Sequence, residues 1–360
     1  MKIVLAGGGT AGHIEPALAL ARSWRAKHPM DEILFLGTKS GLENHLVPGA
    51  GFSLTHISKV IIPRKFSLSI FVAPTTLTQS FLEARAALRG ADLLVGFGGY
   101  VSGPAYLAAR TLNIPIVIHE ANAKPGLANR LGSLFTKYLA VAQPVTSGKL
   151  SSALITGLPL RADVAKALQS SAKDWSAARS RAKANLGFKE SAPVVAIFFG
   201  SQGSVALNKV IADALPKFQQ NGAQLLHAVG KANPLPNSQP NYKPVSYIED
   251  MATAYLAADL IIARSGAVTC SEVNALGRYA LFIPLPIGNG EQKVNARLVT
   301  EQSRGEIIGQ SEFTPEWIGM HLDRLIKNSA KTTLAGNDSD LLATEKLTAL
   351  MEQALKVTAN

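Results

Sequence analysis

The chain has 360 residues, of which 47% are apolar, 17% charged and one is a cysteine, and its formal net charge is +11. A chain so apolar and so sparsely charged buries large cores, which excludes global disorder, and its length suits two domains of roughly 150–180 residues. The single cysteine, Cys270, excludes an internal disulfide framework and a cysteine-cluster metal site, as expected of a reducing compartment, and no apolar run reaches the ~20 residues of a membrane span.

Short β-branched runs alternate with helical stretches. Unbroken apolar strands in that setting predict an α/β fold with parallel sheets covered on both faces. Residues 2–6 form the first predicted strand and break into Gly7-Gly8-Gly9-Thr10-Ala11-Gly12, too early for a signal peptide. Gly7, Gly9 and Gly12 match G-x-G-x-x-G. The acidic residue that would bind a dinucleotide ribose is missing, because the second strand, 33–36, ends in Gly37-Thr38. A P-loop lysine is missing too. What remains is a tight turn that brings backbone N–H groups and His13 towards a ligand. His13, just inside the first helix, reads either as a helix-cap residue or as a general base that titrates near neutrality.

The strand 93–95 leads into Gly96-Phe97-Gly98-Gly99-Tyr100-Val101-Ser102-Gly103, which fits either close approach of a ligand or a helix packed tightly on the sheet. The strand 116–119 delivers His119-Glu120-Ala121-Asn122, a base, an acid and an amide at the edge where ligands of open α/β sheets lie. After a strand at 138–142, the joint falls near Gly157-Leu158-Pro159, which predicts domains over 1–159 and 160–340.

Residues 162–192 are helical and charged, and Pro193 opens the second sheet. Its first strand, 194–199, runs into Gly200-Ser201-Gln202-Gly203-Ser204, another strand, glycine turn and helix. Strands at 224–229, 260–263 and 281–284 follow. Ala91-Asp92-Leu93-Leu94-Val95 and Ala258-Asp259-Leu260-Ile261-Ile262, 167 residues apart, predict two similar halves. After 260–263, Arg264-Ser265-Gly266-Ala267-Val268-Thr269 opens a helix whose N-terminus suits a diphosphate, with Glu272 one turn on for the hydroxyls of a ribose. Pro286-Ile287-Gly288-Asn289-Gly290-Glu291-Gln292 is a polar loop with natural sugar-hydroxyl partners. Asp338-Ser339-Asp340 matches D-x-D but reads as a helix cap, so no metal is expected. An amphipathic helix over 341–357 is expected to pack back on the first domain.

Together these motifs resemble the MurG family of bacterial glycosyltransferases. The resemblance runs in order from Gly7–Gly12 and His13, through Gly98-Gly99-Tyr100-Val101-Ser102-Gly103-Pro104 and His119–Asn122, to Gly200–Gly203, Arg264–Ala267 with Glu272, and Gly290-Glu291-Gln292 with Asn295-Ala296. It implies a GT-B fold, two Rossmann-like domains with parallel sheets facing across a cleft, the first taking the acceptor and the second the UDP-sugar. It implies an enzyme that moves N-acetylglucosamine from UDP-GlcNAc to lipid I, the lipid-linked muramyl-pentapeptide, making lipid II for peptidoglycan, without cofactor or metal. By resemblance, Thr10, Ala11, Gly12 and Asn122 line the sugar side, and Arg161 and Ser201 contact the nucleotide-sugar. Ile248 meets the uracil through its backbone. Ala267, Val268 and Thr269 bind the diphosphate, Glu272 the ribose, and Glu291 with Gln292 the hexosamine hydroxyls. Gly98, Gly99, Tyr100 and His119 fall on the acceptor side. The chain departs from the family's Gly-Asn-Pro at Leu158, and from its paired glutamines at Glu291.

The implied chemistry is inversion at the anomeric carbon, with His13 the first choice of base and Glu120 the second. Residues 1–180 hold 19 Lys and Arg against 9 Asp and Glu, while residues 181–360 hold 17 against 16. The excess cations therefore sit in the half expected to meet a lipid diphosphate and the anionic inner leaflet, a peripheral site on the cytoplasmic face rather than a nucleic-acid partner. Residues 60–72, apolar and basic, read either as a membrane-docking segment or as a buried helix with a basic rim. Two other readings stay open: another GT-B enzyme acting on a UDP-sugar, such as an epimerase or glycolipid transferase, and a non-enzymatic binding module. Nothing in the sequence names a protein partner.

Overall fold

The computed structural model describes residues 1–60, 69–287, 289–332 and 334–356, with 69–74 and 298 described by their backbone. The greater part of the 60–72 segment therefore lies outside the described residues. Two compact units divide the chain: Met1–Arg161 with Ser339–Asn360, and Ala162–Asp338.

The first unit runs β1 (Lys2–Gly7), α1 (Ala11–Lys27), β2 (Glu32–Gly37), α2 (Glu43–Gly49), β3 (Ser53–His56), α3 (Ser69–Ala87), β4 (Leu93–Gly98), α4 (Ser102–Thr111), β5 (Ile116–Glu120), α5 (Leu127–Gly132), β6 (Tyr138–Val141) and β7 (Leu154–Ile155). Among the described residues its seven strands lie in the order β3-β2-β1-β4-β5-β6-β7, and every pair is parallel. Alternation decides which face each side chain meets. Ile3, Leu5, Ile33 and Phe35 pack with Ile14, Leu18 and Trp24 of α1, while Val4, Ala6, Leu34 and Leu36 pack with Ala105 and Tyr106 of α4. Both faces are thus covered, which is why these strands are apolar throughout.

The second unit runs α6 (Ala162–Ser171), α7 (Trp175–Asn185), β8 (Val194–Phe198), α8 (Val205–Gln220), β9 (Gln224–Ala228), β10 (Tyr242–Val245), α9 (Met251–Ala257), β11 (Leu260–Ala263), α10 (Ala267–Ala275), β12 (Tyr279–Phe282), α11 (Glu291–Glu301), β13 (Gly305–Ile307) and α12 (Pro315–Lys331). Its strands, among the described residues, lie in the order β10-β9-β8-β11-β12-β13, again parallel. The chain then returns to the first unit as α13 (Ala343–Lys356), whose Leu347, Leu350, Met351 and Ala354 join the core beside Ile3 and Leu5. That spacing of three, four and seven residues is one helical face.

The internal echo has a physical content. Asp92 exchanges hydrogen bonds with the first residue of β1: its N–H donates to Lys2 O at 2.9 Å and its Oδ2 accepts Lys2 N–H at 2.7 Å. Asp259 does the same at the start of β8, donating to Val194 O at 2.8 Å and accepting Val194 N–H at 2.8 Å. In each unit an aspartate one residue before the crossover strand satisfies the orphan backbone of the strand beside it.

Candidate active site

At the carboxyl edge of the first sheet the glycine turn after β1 meets the one after β4. Register shifts between Ala6 and Gly7, so that Gly7 pairs with Gly98. The buried Ser102 hydroxyl accepts the Gly98 N–H at 3.1 Å and lies 2.8 Å from both Ala6 O and Gly98 O, tying the two strand ends together. Gly98 and Gly99 adopt φ of 93° and 84°, the left-handed region that glycine enters without penalty. Both glycines back onto the His13 ring, with Asn129 Nδ2 beside Gly98 and the Gly8 carbonyl oxygen, 2.4 Å from where a Cβ would stand, beside Gly99. A Cβ on Gly98 would lie 3.4 Å from the His13 Cδ2 and Nε2, and one on Gly99 3.2 Å from the His13 Nδ1.

His13 does not cap α1 through its side chain. Its Nδ1 lies 3.3 Å from Gly8 O and 3.2 Å from Thr10 Oγ1. A carbonyl only accepts, so a hydrogen bond to Gly8 needs the proton on Nδ1, the tautomer that leaves the lone pair on Nε2. Burial lowers the imidazole pKa below its usual 6.5, against the opposing pull of Glu120, the Gly8 carbonyl and Glu43, so the ring is neutral at pH 7. Thr10 is exposed and Ala11 and Gly12 are part-exposed around it. Tyr100, 47% exposed, lays its ring beside Gly9 under the Lys59 ammonium, which stands 4.7 Å from the ring centroid.

Two of the expected site residues turn inward. Glu120 is buried and its carboxylate is taken by four donors. Oε1 accepts the Asn122 N–H at 2.9 Å and its Nδ2 at 3.0 Å, and Oε2 accepts the Gly126 N–H and Asn129 Nδ2 at 3.0 Å each. A carboxylate so engaged organises the loop after β5, and the four donors occupy the lone pairs that a base would use. His119, expected on the acceptor side, is fully enclosed. Burial pushes its pKa down to about 4, and the neutral ring donates Nε2–H to Gly157 O at 3.0 Å, bracing the connector between the units. Leu158, which stands in place of the family's asparagine, is buried, and its N–H donates to Asp340 Oδ1 at 3.1 Å. Asp340 of the D-x-D motif, expected as a helix cap, anchors the connector. Arg161 ends the first unit with its guanidinium 3.9 Å from Glu15 Oε1.

In the second unit the turn after β8 is held by residues the motifs do not contain. Asn233 Nδ2 donates to Gln202 O at 2.8 Å and Val229 O at 2.7 Å, leaving Ser201 part-exposed on the turn. Gly266 precedes α10 in extended conformation as its N-cap and, being glycine, offers the helix no side-chain cap. The N–H groups of Ala267, Val268 and Thr269 belong to a first turn that has no helical carbonyl to meet, an anion site backed by the helix dipole. Glu272 is fully enclosed, with Oε2 accepting the Tyr255 hydroxyl at 3.0 Å. Ile248 is buried near the start of α9. Gln292 Oε1 accepts the Leu285 N–H at 2.9 Å, and Glu291 Oε2 accepts the Asn289 N–H at 3.1 Å, so both fold the loop before α11 back on itself. Arg264 braces that loop from below through Ile283 O at 3.0 Å and Pro284 O at 3.2 Å. Among the described residues no group of three or more His, Cys, Asp or Glu is placed to hold a metal ion, and no helix is long and apolar enough to cross a membrane.

Glu43, Asn129, Asn233 and Tyr255 are the functional-edge residues that motif reading missed. None stands in a motif. Only the glycines at 37 and 41, which flank a carboxylate the size of Glu43, carry a trace of it in the sequence.

Residues 3–141 match the glycosyltransferase family 28 N-terminal domain, and residues 194–353 match the glycosyltransferase family 28 C-terminal domain. The UDP-N-acetylglucosamine–N-acetylmuramyl-(pentapeptide) pyrophosphoryl-undecaprenol N-acetylglucosamine transferase of Streptomyces coelicolor is 46% identical over 329 residues, 88% of this chain and 87% of that one. The crystal structure of Acinetobacter baumannii MurG superposes with a TM-score of 0.69 at 27% identity, covering 98% of this chain and 99% of that one. A UDP-GlcNAc 2-epimerase from Neisseria meningitidis, at 14% identity and a TM-score of 0.59 over 98% of this chain and 100% of that one, shares the GT-B fold alone. The chain belongs to glycosyltransferase family 28 and, within it, to the MurG transferases.

Proposed function

We propose that this protein transfers N-acetylglucosamine from UDP-GlcNAc to the 4-hydroxyl of the muramyl sugar of lipid I, with inversion, giving lipid II. The observation that carries the reading is the neutral His13 imidazole, whose Nδ1 rests on Gly8 O and whose Nε2 keeps its lone pair at the carboxyl edge of the first sheet. The muramyl oxygen attacks the anomeric carbon as Nε2 takes its proton. The bond from that carbon to the diphosphate breaks, and the electron pair leaves with UDP. The uncapped first turn of α10 receives the charge that develops on the diphosphate, with no group needing to move at that moment.

Around that chemistry, Ala267, Val268 and Thr269 hold the diphosphate, Glu272 the ribose and the Ile248 backbone the uracil. Arg161 and Ser201 contact the nucleotide-sugar, and Glu291 and Gln292 the hexosamine. Thr10, Ala11, Gly12 and Asn122 flank the transferred sugar. Gly98, Gly99 and the exposed Tyr100 meet the acceptor, with His119 supporting the connector beneath. The relatives' names support both substrates. A labelled N-acetylglucosamine transfer to a lipid I analogue tests the reading. We expect a product of inverted anomeric configuration, and stronger protection from thermal unfolding by UDP-GlcNAc than by UDP-glucose. No transfer would end it.

We propose that the protein sits on the cytoplasmic face of the membrane, bound peripherally to an anionic leaflet, a reading that the lipid-linked acceptor and the cationic first half support. The protein is expected to pellet with anionic vesicles and to stay in solution with neutral ones at low salt. Equal pelleting removes the electrostatic contribution.

A further inference from the structure

Glu43 opens α2, with no exposed surface, and is reached by no motif. Its Oε1 accepts the Thr38 N–H at 2.8 Å and the Thr38 hydroxyl at 3.0 Å, and its Oε2 accepts the Gly9 N–H at 3.1 Å. A Cβ at Gly37 or Gly41 would occupy the space of this carboxylate, so the end of β2 and the turn after it are shaped around it. Asn44, the next residue, ties the same turn by donating Nδ2 to Thr38 O at 2.8 Å and to Gly41 O at 3.0 Å.

The Gly9 N–H and the Gly8 C=O belong to one peptide plane. The N–H end of that plane meets Glu43, and the C=O end meets His13 Nδ1 at 3.3 Å. A planar peptide turns as a unit, so whatever fixes its N–H direction also fixes its carbonyl. An anion on the N–H side also polarises the carbonyl into a better acceptor. We propose that Glu43 is a positioning residue for His13: by accepting the Gly9 N–H it orients the Gly8–Gly9 peptide, whose carbonyl accepts the Nδ1–H hydrogen bond and so leaves Nε2 as the lone-pair nitrogen. The consequence for turnover rests on the reading of His13 as the base; the effect on the ring does not.

The test reads the ring directly. In protein labelled with ¹⁵N-histidine, with His13→Gln identifying the signals, His13 at neutral pH is expected in the Nδ1–H form. Glu43→Gln leaves one acceptor oxygen for three donors, so either Thr38 or Gly9 faces an amide. The His13 signals then move towards the Nε2–H form, and kcat falls roughly 10–100-fold with KM for UDP-GlcNAc within about twofold. Thr38→Val removes one donor to the same carboxylate but keeps the Gly9 bond, and the His13 signals stay at their original positions. A folded Glu43→Gln protein with unmoved signals overturns the proposal. So does an Nε2–H ring in the unsubstituted protein, an outcome that requires no variant to fold. Signals that move without a change in kcat uphold the role of Glu43 and remove His13 from the base role.

Discussion

His13→Ala is expected to lower kcat by about 10²–10⁴-fold while the affinity for UDP-GlcNAc changes by less than about threefold, because on the proposed reading the ring moves a proton in the transition state and holds none of the nucleotide. Turnover in the unsubstituted protein carries the matching pH dependence. The base works when neutral, and burial sets its pKa below 6.5, so kcat/KM holds through neutrality and falls as pH drops through that lowered value. Stability runs the same way. His13, His119 and His227 all have depressed pKa values, the latter two at about 4, so each binds fewer protons folded than unfolded. Their contribution is present above the unfolded value near 6.5 and is lost as pH falls towards 4. Turnover measured against pH, with nucleotide binding followed separately by calorimetry, checks the assignment. If binding collapses in His13→Ala while kcat holds, His13 is a ligand of the donor and not the base.

The parts of the fold that could be read from the sequence are those buried on two faces. Strands β1, β2, β4, β5, β8, β9 and β11 stand out as apolar runs because helices cover both sides. The strands that went unrecognised, β3, β7, β10 and β13, are the edges of the two sheets. Half-exposed, they carry sequences such as Ser53-Leu54-Thr55-His56, in which no apolar run develops. The strand expected at 281–284 starts two residues earlier, at Tyr279, whose hydroxyl reaches Glu306 at 2.7 Å and so disguises a buried strand residue as a polar one. At the site, the glycine turns mark where backbone must come close, but not what fills the space. At Gly98 the neighbours are Asn129 and His13, and at Gly99 the Gly8 carbonyl with His13 behind it. β2 ends in Gly37-Thr38 with no acid of its own, yet a carboxylate does stand there, delivered by Glu43 from the next helix. Contacts of that kind join residues with no fixed spacing, so they come from tertiary packing alone.

Glu120→Gln separates a clamp from a base, and the expected result is a loss of stability. Gln keeps the shape of the side chain and one acceptor oxygen. That oxygen serves either the Asn122 pair of donors or the Gly126–Asn129 pair, and the new amide faces the other pair donor to donor. Unpaired donors cost up to about 1–3 kcal/mol each, so two of them, part-buried or buried, should cost the first unit up to roughly 2–6 kcal/mol in urea unfolding. The damage spreads inward, because Asn129 Oδ1 also accepts the buried Tyr106 hydroxyl at 2.7 Å and its Nδ2 also reaches His119 O at 3.3 Å. Hydrogen exchange at the Gly126 amide should quicken in step. Turnover falls with the loop, and its acid limb moves to still lower pH, since the Glu120 charge is the largest influence holding the His13 pKa up. A base would behave otherwise: the urea midpoint and the Gly126 amide would be unchanged while kcat was lost. Stability and exchange together therefore decide what the buried carboxylate at the end of β5 does, and four inward-facing donors leave it no lone pair with which to take the acceptor's proton.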